Sequence, residues 1–183
     1  QLSNFGSGSL LTLPGTLTLG FQHPFALALI GIFAVGSGAM AVAGERQHGT
    51  LELLLSRPIS RRALYVTLLV AILVVVALMV ALILVGMLVG AAGQNVLDQI
   101  DVGQMPLVLL NGFLLWAAFA TFSLAASVSF DRSGPALGLS LAYLLINYFL
   151  EVLGSLWTDA AWTQEYSLFH HFQPGQILAG EAA

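Results

Sequence analysis

His170 and His171 stand side by side with Glu165 five residues upstream, the nearest this sequence comes to a metal-ligand set. Neighbouring side chains on a helix diverge by about 100°, so adjacent imidazoles do not present one metal face. The H-E-x-x-H spacing of zinc hydrolases is absent. No cysteine occurs in 183 residues, which removes thiolate–metal and disulfide chemistry. No metal site and no catalytic constellation are expected. Lysine is missing too, and with it any G-x-x-x-x-G-K-[ST] phosphate loop. Two polar residues stand out by position: Asn147 and Glu151, one turn apart in an apolar run. An intramembrane carboxylate is a candidate for a substrate path. Trp157 lies six residues on, roughly 9 Å along a helix, and tryptophan favours the membrane boundary. Glu151 therefore reads equally well as a solvated boundary residue, and Asn147 shares both readings.

The rest of the charge is concentrated. Residues 44–62, "GERQHGTLELLLSRPISRR", hold four of the five arginines. The chain around them is 58% hydrophobic and 8% charged, whereas a soluble domain is about a quarter charged. Such a composition points to the bilayer as solvent. A crossing helix needs about 20 apolar residues, and four runs qualify: 24–44, 63–93, 106–130 and 136–157. The expected fold is an all-α integral membrane protein, a single transmembrane domain over 1–183 with four transmembrane helices. Arg46, Arg57, Arg61 and Arg62 fall in the loop 45–62, and Arg132 falls in the turn 131–135. Residues 1–22, 94–105 and 158–183 contain no basic residue. The positive-inside rule makes the arginine-bearing loops cytoplasmic, with both ends outside and a multi-pass location in the inner (cytoplasmic) membrane. The lipid bilayer is the first partner, and a nucleic-acid surface is excluded by the lack of any basic run. In the outer segment 1–22, "LLTLPGTLTLGF" alternates in period two around Pro14 and Gly15, which suits a hairpin or an irregular loop.

Within the arginine-rich loop, Thr50 is placed to cap a helix over 51–56, with Glu52 in its first turn. Arg57 precedes Pro58, and a residue before proline leaves helical geometry. Ser60 is placed to cap the next helix, with Arg61 and Arg62 in its first turn. Leu51, Leu54 and Leu55 share one face of the short helix. Two turns do not fold alone, so that face must dock on lipid or in a groove of a cytoplasmic protein. Both destinations are open from the residues alone.

"AGERQHGTLELLLSRPISRR" resembles the first cytoplasmic loop of permease subunits of ATP-binding-cassette transporters, in the type-2 exporter class. The resemblance rests on Glu45 and Arg46, on Gly49, Thr50, Leu51, Glu52, Leu54 and Leu55, and on Arg57, Pro58 and Arg61. "FDRSGPALGLS", with Asp131 and Arg132, is similar to the second cytoplasmic turn, and "SLFHHFQPGQIL" to the outer segment before the last span. The resemblance implies that residues 51–56 are a coupling helix resting on a separate ATPase subunit, which would bind the ATP and magnesium. It implies no cofactor in this chain, a second permease copy or a homologous permease as partner, and export as the direction. It spans segments two to five of an expected six. With an even span count and an N-terminal Gln1, it leads to the expectation of a piece of a longer permease.

Two small-residue patterns complete the reading. Ala117, Thr121, Ala125 and Ser129 recur every four residues, and Gly86 and Gly90 form a GxxxG. Such stripes allow close helix approach, within one subunit or along a dimer seam or translocation path. Residues 158–183, rich in Trp, Tyr and Phe, read as an amphipathic segment in the outer interface. Two other functional classes compete with transport. One is a membrane scaffold or assembly factor docking a non-ATPase protein through residues 51–56; the other, an intramembrane enzyme, lacks a catalytic constellation.

Overall fold

The computed structural model describes residues 24–56, 59–96 and 101–178. The expected N-terminal hairpin, Arg57 and Pro58 lie outside the described residues. Among those described, every regular element is helical. α1 is Pro24–Met40, α2 Ala43–Gln47, α3 Leu51–Leu55, α4 Arg61–Gly93, α5 Met105–Ser129, α6 Ser133–Leu156 and α7 Pro174–Leu178. Three-ten segments cover Val102–Gln104, Thr158–Tyr166 and Leu168–His171. The chain divides into two compact units. One contains residues 78–115 and 147–183 together with the N-terminal stretch to Ala28; the other contains 29–77 and 116–146.

α4, α5 and α6 have 33, 25 and 24 residues and are long and apolar enough to cross a membrane. α4 buries Ile72, Val76, Val80, Leu84 and Met87, residues three or four apart that share one face, while Val74, Leu78 and Val85 between them are exposed. An apolar outward face is what hydrocarbon solvates.

The run expected as one helix over 24–44 is interrupted. α1 stops at Met40 after 17 residues, about 26 Å at 1.5 Å per residue, short of the roughly 30 Å hydrocarbon layer. Ala41 N–H reaches back only three residues, to the Gly38 carbonyl at 3.3 Å, and the helix reopens as α2 with Arg46 N–H on the Val42 carbonyl at 2.9 Å. Gly36, Ser37 and Gly38 weaken the helix just before this point. The break is stabilised from another element: Val42 and Ala43 N–H both donate to the Ser127 hydroxyl of α5, at 3.0 and 2.8 Å.

α1 can approach α5 this closely because of Gly38. A Cβ there would stand 2.7 Å from the Ala120 carbonyl oxygen and 2.8 Å from Ser123 Cβ. Gly31 lies similarly over the Trp116 ring, 3.2 Å from its Cβ position. The α5 face that packs within this unit carries Trp116, Phe119, Ala120, Ser123, Leu124 and Ser127. The four-residue series noticed in the sequence lies in another register: Ala117 and Thr121 are half-buried, and Ala125 and Ser129 are exposed. Gly86 and Gly90 are likewise exposed, with nothing within 4 Å of a Cβ. Bulky Trp116 and Phe119 fill the packed face, with small Ala120 and Ser123 set where Gly38 approaches.

Forcing a methyl group against backbone overpacks the contact, at about 1–3 kcal/mol. Gly38→Ala should therefore lower the thermal midpoint of the detergent-purified protein. Gly36→Ala, with open space at the same helix, should leave the midpoint unchanged or slightly raised. Differential scanning of the two variants checks this.

Candidate coupling site

The loop between α1 and α4 folds into a corner of two short helices. α2 ends when Gly49 takes φ 72°, a left-handed conformation that glycine adopts without a Cβ penalty. Gly49 N–H then bonds the Arg46 carbonyl at 3.1 Å and Thr50 N–H the Glu45 carbonyl at 3.0 Å. This pair of bonds is the Schellman helix ending. His48 Nδ1 lies 2.7 Å from the Gly44 carbonyl, on the same last turn. Gly49 and Thr50 are thus the hinge of the corner, which gives a local reason for both residue types.

Thr50 sits at the N-cap position of α3, but its side chain makes no cap bond. The expected capping does not occur: Thr50 has φ −83° and ψ −18°, helical values and not the extended backbone of a capping residue, and its hydroxyl donates to the Glu45 carboxylate. α3 ends at Leu55, one residue short of the expected 51–56, with Ser56 as its C-cap and Ser56 N–H on the Glu52 carbonyl at 2.9 Å. Ser60 caps α4 as anticipated, its hydroxyl accepting Ala63 N–H at 3.1 Å.

This corner is fastened to the turn between α5 and α6. The Arg46 guanidinium donates at 3.0 Å to the Phe130 carbonyl and at 3.0 Å to Asp131 Oδ1. Gln47 Oε1 accepts Ser133 N–H at 3.1 Å and the Ser133 hydroxyl at 2.8 Å. Beneath these bonds Ala39, Ala43 and Ala136 form a buried cluster, with Phe130 and Leu137 packed against it. The fastenings differ in weight. The Asp131 side chain is 91% exposed, and an exposed ion pair contributes roughly 0–1 kcal/mol. Ser127 is fully buried, and stranding a buried N–H costs about 1–3 kcal/mol; Ser127 serves two. The serine is the stronger tie.

The sequence-predicted residues therefore separate by environment. Glu45, Arg46, Thr50 and Asp131 come together, bonded within the chain. Leu51 is half-buried, and Glu52, Arg61 and Arg132 are exposed. Only the backbone of Leu54 and Leu55 is described. Sequence reasoning passed over Gln47, Phe130 and Ser133, uncharged residues beside the charged pairs Glu45–Arg46 and Asp131–Arg132, Ser127 in an apolar helix, and Leu53, which is 70% exposed. The run of leucines at 53–55 was the available signal for Leu53; no local signal marks Ser127, because its partners lie 84 and 85 residues away.

Asn147 and Glu151 occupy a second polar cluster, in the unit that holds 147–183. Asn147 is buried; its Oδ1 accepts Leu168 N–H at 3.0 Å and its carbonyl the Ser167 hydroxyl at 2.9 Å. Glu151 Oε1 accepts Gln164 Nε2 at 2.9 Å, and His170 Nδ1 lies 3.8 Å from its Oε2. Asn111 of α5 acts similarly, donating to the His171 carbonyl at 2.8 Å and accepting Gln173 N–H at 3.2 Å. These amides satisfy irregular backbone that hydrocarbon would leave unpaired. Within the aromatic segment Trp162 and Tyr166 are exposed, while Phe169 and Phe172 are buried.

No curated protein and no solved structure matches the chain. A family model described as ABC-2 family transporter protein matches residues 2–174. That match covers nearly the whole chain, including the corner, its fastenings and the three span-length helices. The chain belongs to the ABC-2 transporter family, and is a membrane permease component of an ATP-binding-cassette transporter.

Proposed function

We propose that the α2–α3 corner is the coupling site of this permease, on which a separate ATPase subunit acts to move substrate across the inner membrane. The observation that carries this reading is the double attachment of the corner. It continues into α1 and α4 along the chain, and hydrogen bonds from Arg46, Gln47, Val42 and Ala43 tie it to α5 and to the α5–α6 turn. A displacement of α3 thus reaches four helices. α3 itself has five residues, too few to be stable alone, and its shape is set by the Gly49 turn.

The ATPase partner holds the nucleotide and its magnesium. Its closed and open arrangements can bias the permease only through a difference in how each grips the corner. Leu53 and Glu52, both exposed, are the surface offered for that grip, together with the Leu51, Leu54 and Leu55 positions. Arg57, Pro58, Arg61 and Arg132 flank it and hold it at the cytoplasmic boundary. In this reading α1, continued by α2, is the fourth crossing, and residues 1–22 and 158–178 face outward. Export as the direction rests on the likeness of the loop to type-2 exporters. Asn147 and Glu151 anchor the outer aromatic segment instead of lining a substrate path, since both are hydrogen-bonded to it. A second permease copy is the further partner, and exposed Gly86 and Gly90 on α4 offer a seam where helices can approach closely.

Glu52→Arg, or Leu54→Asp, should lower permease-dependent ATP hydrolysis and transport at least tenfold while leaving membrane insertion and expression intact. Hydrolysis by the reconstituted permease–ATPase complex measures this, and wild-type rates in both variants would remove the coupling assignment. Gly90→Cys, in a chain with no cysteine of its own, should give a disulfide-linked permease pair on mild oxidation in membranes. Only monomer under those conditions would place the second copy elsewhere.

A further inference from the structure

We infer that Ser127 is the positioning residue of the coupling corner: its buried hydroxyl fixes the direction in which the chain leaves α1. A continuous helix would send Val42 and Ala43 N–H to the carbonyls of Gly38 and Ala39. Both instead converge on Ser127 Oγ, at 3.0 and 2.8 Å. A hydroxyl oxygen has two acceptor lone pairs, so one serine satisfies both donors. Ser123 and Ser129 on the same helix are used differently, each bonding the carbonyl four residues earlier, at 2.8 and 3.0 Å. Ser127 is fully buried, as are Ala39 and Ala43 beside the break, so water does not readily replace it.

The consequence runs along the chain. With the two N–H groups held, α2 starts at Ala43, and Arg46 and Gln47 come round to Phe130, Asp131 and Ser133. Without the hydroxyl the two donors have their nearest alternative in the α1 carbonyls, which straightens the break and swings the corner off the α5–α6 turn. Threonine keeps the oxygen in place; alanine does not. Ser127 touches no ATPase and no substrate, and acts through the direction of the segment that follows.

The test uses the full permease in complex with its ATPase, with spin labels at His48 and Gly134, two exposed positions on the corner and beside the turn, outside the proposed grip. The wild-type label distance should be single and narrow. Ser127→Ala should shift or broaden it and lower the kcat of permease-dependent ATP hydrolysis about tenfold. KM for ATP and recovery of the complex should not change, and Ser127→Thr should restore both distance and kcat. If Ser127→Ala fails to accumulate, Ser127→Cys, a weak acceptor in the same buried place, should give the same broadening. A distance distribution identical to wild type in the alanine or cysteine variant overturns the inference. The hydrolysis arm rests on the coupling reading and separates the two. A broadened distance with wild-type hydrolysis in both Ser127→Ala and Glu52→Arg upholds the positioning role and refutes coupling.

Discussion

Backbone N–H and carbonyl groups cannot be left unpaired away from water, and the irregular stretches packed against α5 and α6 meet that constraint with side-chain partners. An unbroken helix meets it internally, which is why α4, α5 and α6 run for 24 residues or more. Where the chain must turn, side chains from other helices supply the missing partners. Ser127 does so at the end of α1, Gln47 at the start of α6, and Asn111 and Asn147 beneath the aromatic segment. Of the polar side chains within the long helices, Asn111, Ser127 and Asn147 hold irregular backbone in place, while Ser123, Ser129 and Ser140 bond carbonyls of their own helix.

That constraint links shape to function. The α2–α3 corner is the most charged part of the permease, yet its direction is set by uncharged groups: a glycine at φ 72°, a buried serine hydroxyl and an amide. Short-range hydrogen bonds decide how the corner is oriented. The Arg46–Asp131 pair is among them, but its exposure makes it the weaker contribution beside the buried contacts of Ser127.

Much of this was legible in the sequence and some was not, for physical reasons. Four apolar runs predict helices, and the structure places a helix in each. The Ser60 cap follows from a local rule, because capping acts within a few residues. The break after Met40 was not legible, since Ala41, Val42 and Ala43 are ordinary residues for an apolar helix and the cause lies on α5. Thr50 shows the converse. Its type and position predict a cap, but the Gly49 turn leaves the Thr50 backbone in helical geometry, where the side chain makes no cap bond. Asn147 and Glu151 were noticed for the right reason, their polarity among apolar neighbours; the segment they bind becomes visible only when the fold brings 163–171 back to α6.

The central claim, that this corner meets an ATPase, is tested most directly by placing a photo-activated cross-linker at Leu53 in the intact permease co-expressed with its ATPase. The account predicts a covalent adduct to the ATPase subunit whose yield changes when ATP is bound. Adducts to phospholipid alone, in both nucleotide states, would contradict it.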